Sequence, residues 1–300
     1  MLSILIPVYN CPVRNLVDSV RKQAGDAEID YEFVIIDDGS DERFCRMNRD
    51  LSSLPGVIYT ELGRNVGRAA VRNMLAAAAR YPYLLFIDGD ARVTDGLFIK
   101  KYLSYCTGEV VVCGGTAYEP DPPADRQLLL RWKYGRLREQ READRRNRRP
   151  HEAFSAFNFM ASSSVMRRLR FNEELTRYGH EDTLFGYSLF KEKIPVCHID
   201  NPLLHAGLEP SPVFLEKTRA AVANLAGIYG QYRLDRDFLQ GISLIRLYKH
   251  LRKWNMHRFI FPVLSAFEKT VERNLKGKRP CIPLLQLYKL MWFHAEISRH

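Results

Sequence analysis

The sequence predicts an α/β protein with a mostly parallel sheet flanked by helices, followed by a helical C-terminal extension. Short apolar runs of strand length alternate with segments of helical apolar spacing from Leu2 to Cys113. This alternation is typical of βαβ units and a doubly wound sheet. From Pro210 onward no strand-like alternation occurs, and three long segments have helical spacing. These two observations define the fold class.

The individual elements follow from the same runs, with turn residues or acids marking where each strand ends. The predicted strands are Leu2–Ile6, Tyr31–Ile36, Val57–Thr60, Leu84–Ile87, Glu109–Cys113, Phe157–Ala161 and Pro195–Ile199. The predicted helices of this part are Val13–Ala24, Asn65–Arg80, Thr94–Tyr105 with Thr94 as its cap, and Asp182–Glu192. The extension is predicted to contain helices at Val213–Tyr232, Phe238–Trp254 and Leu284–Ser298.

Composition restricts the class of protein. The chain has 300 residues, of which 46% are hydrophobic and 27% charged, as in globular proteins of one or two domains. A net charge of +10 predicts an acidic partner, such as a nucleotide phosphate, nucleic acid or an anionic membrane face. Six scattered cysteines indicate neither a zinc site nor a disulfide framework. Without a predicted leader or membrane-spanning stretch, we expect a cytoplasmic protein, soluble or peripheral.

Acids follow two of the predicted strands. Asp37 and Asp38 come after the second strand, and Asp88, Gly89 and Asp90 come after the fourth. Open α/β sheets bind ligands at the carboxyl ends of their strands. Clustered carboxylates need a positive partner there, and a divalent cation with a phosphorylated ligand fits. Polar turns without a ligand are the alternative. No Gly-rich loop follows the first strand, so a P-loop or dinucleotide mode of phosphate binding is not expected.

Two regions are rich in Arg and Lys. Residues 124–149 contain ten such side chains, and apolar residues in the first half indicate an amphipathic helix, whereas we expect Arg145–Pro150 to be a mobile loop. In the extension, basic and aromatic residues interleave from Arg246 to Phe259. Each region can be a solvated face or can contact an anionic acceptor or membrane headgroups. The sequence leaves both interpretations open.

Four segments occur in a fixed order: residues 4–10 (ILIPVYN), 34–40 (VIIDDGS), 65–73 (NVGRAAVRN) and 85–90 (LFIDGD). Together they resemble the successive motifs of inverting, nucleotide-sugar-dependent glycosyltransferases of family 2. Residues 178–186 (YGHEDTLFG) are similar to the Gly-x-Glu-Asp element of that group. The resemblance implies a Rossmann-like GT-A domain at residues 1–207, with a nucleotide-sugar-binding half at 1–118 and an acceptor half at 119–207. Residues 208–300 form a basic helical extension outside it.

The resemblance implies a nucleotide-sugar site along the first four segments. Asp38 would accept a hydrogen bond from the imide N–H of the base. The residues expected near the nucleoside or the diphosphate are Pro7, Tyr9, Asn10, Asp38, Arg64, Asn65, Arg68, Arg72, Asp88 and Gly89.

The resemblance also implies separate metal and catalytic residues. Asp90 would bind a divalent cation, Mg²⁺ or Mn²⁺, with Asp88 at the metal or its water shell and His205 as a further ligand. Asp182 would be the catalytic base, and Glu181 beside it would position the acceptor. The chemistry independently favours this division, because a cation neutralises the leaving diphosphate and one carboxylate cannot easily be both metal ligand and base.

We therefore predict a metal-dependent inverting glycosyltransferase. It would move a sugar from a nucleotide sugar, with UDP-sugar the expected donor, to a hydroxyl of a glycan or lipid-linked acceptor in surface polysaccharide or glycolipid synthesis. The inner face of a membrane is a further expected contact, and nucleic acid is not. The alternative is a basic module that binds nucleic acid or anionic lipid on an α/β scaffold. A nucleotidyltransferase is disfavoured, because it normally needs a Gly-rich loop after the first strand.

Overall fold

In the computed structural model, which describes residues 1–175, 178–233 and 235–299, the chain divides into two units. The first unit comprises Met1–Tyr118, Glu139–Glu174 and Glu181–Gly207. The second comprises Glu119–Arg138, Leu175–His180 and Leu208–His300. One boundary between the units falls between residues 207 and 208. The predicted division of 1–207 into a donor half and an acceptor half stays a prediction.

The apolar runs of the first unit form the seven predicted strands, and the described residues contain three further short strands that were not predicted. In chain order these are β1 (Leu2–Val8), β2 (Tyr31–Asp37), β3 (Val57–Glu61), β4 (Tyr83–Ile87), β5 (Ala91–Arg92), β6 (Val111–Cys113), β7 (Thr116–Ala117), β8 (Asn158–Ser162), β9 (Val196–His198) and β10 (Leu203–His205). Seven of them form one sheet in the order β3-β2-β1-β4-β8-β6-β9. Within it β8 is antiparallel to β4 and β6, and the other neighbours are parallel. The predicted α/β class is confirmed.

Helices follow most strands. In chain order they are α1 (Arg14–Asp26), α2 (Glu42–Asn48), α3 (Arg68–Ala78), α4 (Phe98–Leu103), α5 (Leu129–Tyr134), α6 (Ala143–Asn147), α7 (Ser163–Arg168), α8 (Glu181–Lys191), α9 (Ser211–Gln231), α10 (Arg236–Gly241), α11 (Ser243–Lys253), α12 (His257–Ala266), α13 (Glu268–Leu275) and α14 (Ile282–Ile297). Short 3₁₀ segments occupy Arg49–Ser53 and Arg126–Leu128, and Gly135–Glu139 is a π-helical turn.

Alternate residues of the central strands fill two apolar layers. Ile4 and Ile6 of β1 belong to one buried cluster, whereas Leu5 belongs to a second cluster with Val34 and Phe86. Successive side chains of a strand point to opposite faces, so the sheet is buried on both faces. The sequences of such strands are continuous apolar runs, and the sequence therefore predicts them well.

Helix α3 begins three residues later than the predicted Asn65, for a reason that matters to the site. The carboxylate of Asp38 accepts hydrogen bonds from the backbone amides of Val66 and Gly67, at 2.6 and 3.1 Å. Gly67 has a φ of 94°. This left-handed conformation suits glycine and stops the helix from extending toward Asn65. The intervening loop therefore stays open beside the sheet edge.

The prediction of a mobile loop at Arg145–Pro150 is wrong. Residues 143–147 form α6, and the guanidinium of Arg146 is buried. Its nitrogens donate to the carbonyl oxygens of Cys113, Gly114 and Ile199, at 2.7 to 3.1 Å. A buried guanidinium needs such acceptors, because an unpaired one would be costly. Helix α4 is also shorter than predicted; it begins after Leu97, and Thr94 does not cap it.

The second unit is helical, as predicted for the extension. Phe214, Leu285 and Tyr288 form part of its buried cluster, and Lys133 of the 124–149 segment donates to the carbonyl oxygen of Pro280 at 2.9 Å. The predicted helix Phe238–Trp254 is divided at Ile242 into α10 and α11. Helices α12 and α13 are additional to those predicted. Over the described residues, no helix combines the length and the apolar character needed to cross a bilayer.

Candidate active site

The turn after β4 carries the first pair of acids, and close packing fixes its path. The amide of Asp88 donates to the carbonyl oxygen of Phe157 at 3.1 Å. A Cβ on Gly89 would lie 3.0 Å from the sulfur of Cys11 and 3.1 Å from the carbonyl oxygen of Pro7. Glycine is thus the residue that lets this turn pass close to the end of β1. The predicted residues Pro7, Asp88 and Gly89 are brought together.

A small three-stranded sheet brings His205 to Asp90. Its strand order is β5-β10-β7, and His205 of β10 pairs with Ala91, the residue after Asp90. The Nε2 atom of His205 lies 3.5 Å from Oδ2 of Asp90. The imidazole is stacked between the rings of Tyr118 and Phe157, with both centroid distances 5.4 Å. The aromatic rings therefore hold the orientation of the imidazole.

Gly207 completes the surroundings of Asp90. A Cβ at this position would lie 2.3 Å from Oδ2 of Asp90, which is well inside van der Waals contact. The side chain of Asp90 is 34% exposed, so its carboxylate is accessible. An accessible carboxylate next to an imidazole is a donor pair that Mn²⁺ or Mg²⁺ accepts, with phosphate oxygens and water as the remaining ligands. Among the described residues, no group of three or more His, Cys, Asp or Glu side chains is arranged around a metal position. The residues present fit a cation that is shared with a phosphorylated ligand.

Arg72 of α3 connects the two pairs of acids. Its side chain is 3% exposed, and Nη2 donates to Oδ1 of Asp88 at 2.7 Å. Nη1 lies 3.9 Å from Oε1 of Glu181. Burial opposes the charge on Arg72, but the carboxylates of Asp88, Asp182 and Glu181 outweigh it and raise its pKa. Nε and Nη1 have no hydrogen-bond partner among the described residues, so the guanidinium acts here mainly as a buried positive charge.

The second pair of acids opens helix α8. Glu181 is buried, and its Oε1 also lies 3.9 Å from Nη1 of Arg68. Oδ2 of Asp182 accepts a hydrogen bond from the amide of Ala156 at 3.0 Å. Oδ1 of Asp182 is buried and has no hydrogen-bond partner in the part of the chain that the structure describes. Burial and the charge of Glu181 raise the pKa of Asp182 to about 6, against the opposing effect of Arg72. A carboxylate in such surroundings accepts a proton more readily than a solvated one.

The loops after β1 and β2 are fastened to each other. Asn10 has a φ of 52°, its amide donates to Oγ of Ser40 at 2.7 Å, and its Oδ1 accepts from the amide of Asp41 at 2.8 Å. Gly39 also has a positive φ, of 71°, and a Cβ there would lie 2.5 Å from the carbonyl carbon of Arg64. Tyr9 is exposed beside them. Much of the Asp-Asp-Gly-Ser motif therefore builds the loop.

The predicted role of Asp38 stays a prediction, with a further function now visible. Burial raises the pKa of Asp38, and hydrogen bonds from the amides of Val66 and Gly67 oppose that rise. A carboxylate offers about four acceptor positions, so two remain for a ligand. Arg64, Asn65 and Arg68 are exposed along the adjoining loop and helix start.

Sequence reasoning missed several contributors to the site. Tyr118 and Phe157 hold the His205 ring, and neither has a spacing or a motif that would mark it. Ala156 contributes only its backbone amide, which no residue pattern can reveal. Gly207 follows His205 by two residues, and a small residue so near a predicted ligand is the one signal that could have been noticed.

Comparison with solved structures confirms the predicted GT-A fold. The mannosyltransferase PcManGT from Pyrobaculum calidifontis, solved in complex with GDP-Man and Mn²⁺, has a TM-score of 0.62 at 13% identity, over 99% of this chain and 86% of that one. TarS 1–349 of S. aureus has a TM-score of 0.52 at 15% identity, over 99% and 90%. Identities this low show the shared fold alone.

The chain belongs to glycosyl transferase family 2, whose model matches residues 3–170. The chondroitin synthase of Escherichia coli is 27% identical over 313 residues, which is 90% of this chain and 45% of the synthase. The glycosyltransferase EpsJ of Bacillus subtilis (strain 168) is 23% identical over 210 residues, which is 68% of this chain and 60% of EpsJ. The chain thus spans about half the length of these relatives. The predicted family is therefore confirmed.

Proposed function

We propose that this family 2 enzyme is an inverting, metal-dependent glycosyltransferase that takes a sugar from a nucleotide sugar to an acceptor hydroxyl. The observation that carries the proposal is the link through Arg72, which contacts Asp88 and approaches Glu181, the neighbour of Asp182. Two acid groups with different surroundings thus lie at one edge of the sheet. In-line displacement needs the leaving group and the base on opposite sides of the reacting carbon. One acid site can hold the leaving diphosphate through a cation, and the other can provide the base.

Asp182 is the proposed base. Its Oδ1 has no hydrogen-bond partner within the described chain, and its raised pKa, about 6, is matched to accepting a proton near neutral pH. A positioned general base contributes about 10²–10⁴-fold to a rate. Because Oδ1 is covered, acceptor binding must uncover it before the hydroxyl proton can move there. Glu181 is proposed to position the acceptor, and Arg72 to hold Asp88 and Glu181 in place.

Asp90 and His205 are the proposed ligands of a divalent cation, with Asp88 beside them. When bound, the cation supplies a Lewis acid that neutralises the charge of the leaving diphosphate. The accessible Asp90 carboxylate and the ring-stacked His205 support this assignment. PcManGT was solved with Mn²⁺ and GDP-Man, and glucosyl-3-phosphoglycerate synthase of Mycobacterium tuberculosis with Mn²⁺ and UDP-Glc. We propose that this chain also binds a divalent cation, either Mg²⁺ or Mn²⁺.

The donor is proposed to be a UDP-sugar. Asp38 keeps acceptor positions for the imide N–H of uracil, and the exposed ring of Tyr9 is available to stack on a base. The remaining donor contacts are assigned to Pro7, Asn10, Arg64, Asn65, Arg68, Arg72 and Gly89. The acceptor is proposed to be a glycan or lipid-linked hydroxyl in surface polysaccharide or glycolipid synthesis, which agrees with the similarity to a chondroitin synthase.

A donor screen followed by product analysis tests the proposal. Slow hydrolysis of UDP-, GDP- and dTDP-sugars is measured with Mn²⁺, with Mg²⁺ and with EDTA, and the anomeric configuration of the transfer product is read by NMR. We expect hydrolysis of a UDP-sugar that EDTA abolishes, and a product of inverted configuration. Retained configuration would refute the single-displacement role of Asp182, and full activity in EDTA would refute the metal site.

A further inference from the structure

The second unit has an exposed apolar surface whose residues have no role in the proposed chemistry. It lies just after α11, along α12 and between α12 and α13, and we call it the α12 surface. Its residues are Trp254, Met256, Phe259, Val263 and Phe267. Phe259 is 76% exposed and Trp254 is 63% exposed. Single exposed apolar residues are ordinary, but three large exposed aromatic rings within one short segment indicate an interaction site.

The α12 surface is additional to the packing face of the same helix. Phe261 is buried and stacks on His294 of α14 at a centroid distance of 3.9 Å, and Leu264 packs against the buried cluster of this unit. Phe259 and Val263 are four residues apart, and Phe267 follows four residues later, so they lie along one side of the helix. Helix α12 is thus apolar toward the interior of its unit and apolar again toward the outside.

Positive charge surrounds the α12 surface. Residues 243–279 contain ten Lys and Arg against two Glu. Both acids have basic neighbours inside the unit: Glu272 pairs with Lys276 at 2.7 Å, and Glu268 and Glu272 lie 3.8 and 3.7 Å from Arg219. Exposed basic side chains flank the aromatic ones, namely Lys249, Arg252, Lys253, Arg258 and Lys269. The apolar surface therefore has a rim whose positive charge is not neutralised by these acids.

We propose that the α12 surface docks on an anionic lipid bilayer. Trp and Phe side chains enter the region between headgroups and acyl chains, while flanking Lys and Arg bind the anionic headgroups. Each basic residue near such a surface strengthens the attraction to it. A second copy of the chain is a poorer occupant, because a twofold contact through this surface would oppose two sets of like charges. Docking of this kind needs no membrane-spanning helix.

Vesicle flotation with the full chain tests the proposal. We expect the protein to float with vesicles of phosphatidylglycerol and phosphatidylcholine at low salt, and at least about tenfold less with phosphatidylcholine alone or at high salt. The double variant Phe259→Ser/Phe267→Ser should lower partitioning by at least about tenfold. Its matched control is Met47→Ser/Ile58→Ser, which removes two exposed apolar side chains of the first unit and should float like the wild type.

A second measurement locates the surface that docks. The chain has three Trp residues. Brominated lipid should quench part of the Trp fluorescence of the wild type. This quenching should be absent in Trp254→Phe, although that variant should still float. The Asp182→Asn variant should float normally, so failure of the transferase proposal and failure of this one are distinguishable. If the wild type does not float, or if Phe259→Ser/Phe267→Ser floats equally well, the proposal is overturned. If instead light scattering gives a dimer that this variant dissociates, the surface joins two copies and the proposal is also overturned.

Discussion

Two pairs of acids lie at one edge of the sheet, and their surroundings differ. Asp88 and Asp90 follow a strand, and their side chains are 19% and 34% exposed. Glu181 and Asp182 open a helix, where the Glu181 side chain is buried and Oδ1 of Asp182 is covered. An accessible carboxylate can bind a cation. A desolvated carboxylate next to another acid gains affinity for a proton instead. The same functional group is thus suited to two different tasks by burial and neighbours.

The largest effect should come from the buried pair. Asp182→Asn removes the proposed base while keeping an oxygen to accept from the Ala156 amide, so we expect transfer to fall by about 10²–10⁴-fold. Binding of UDP with Mn²⁺, measured by calorimetry, should be unchanged, because the proposed donor contacts lie with the other pair. Glu181→Gln is the matched comparison and should lose less activity. Transfer near the wild-type rate in Asp182→Asn would remove the distinction between the two pairs.

The exposed pair is broken most directly at Asp90. Asp90→Ala removes a proposed charged ligand, and losing even an indirect partner of a metal typically costs about 10–100-fold in affinity. We therefore expect Mn²⁺-dependent UDP affinity to fall by at least about 100-fold in titrations with and without EDTA. The thermal stability should change little, because Asp90 is accessible. Equal UDP affinity in Asp90→Ala and the wild type would place the cation elsewhere.

The comparison also shows what the sequence could predict. Strands β2 and β4 are continuous apolar runs, and both are parallel to β1, so strand alternation alone predicted that Asp38, Asp88 and Asp90 follow strand ends at the same edge of the sheet. The sheet that delivers His205 contains strands of only two or three residues, and runs that short carry no periodicity. Arg146 illustrates the opposite failure. Its run of charged residues predicted a mobile loop, yet the guanidinium is buried and its acceptors are carbonyl oxygens from remote segments.

The buried pair should also carry a stability cost that depends on pH. The pKa of Asp182 is raised to about 6 in the folded chain, whereas an unfolded Asp titrates near 4. Between these values the folded state holds more protons, so the free energy of unfolding decreases as pH rises through this window. Because Asn does not titrate, Asp182→Asn lacks this cost, and its free energy of unfolding should exceed that of the wild type by on the order of 2 kcal/mol at pH 7. In urea titrations the difference should shrink toward zero near pH 4; a difference independent of pH would contradict a raised pKa.

The smallest of these effects should come from crowding the exposed pair without removing it. In Gly207→Ala, a methyl group would lie 2.3 Å from Oδ2 of Asp90, so the carboxylate must shift. We expect Mn²⁺-dependent UDP affinity to fall by about tenfold, equivalent to ~1.4 kcal/mol, in the same calorimetric titration. Gly25→Ala is the control, since a Cβ there meets nothing within 4 Å. That change sits in helix α1, where alanine is favoured over glycine by about 0.5–1 kcal/mol, and it should leave UDP binding intact. Unaltered affinity in Gly207→Ala would mean that the position of the Asp90 carboxylate does not limit cation binding. The function of the exposed pair would then depend less on carboxylate position than we expect for the buried pair.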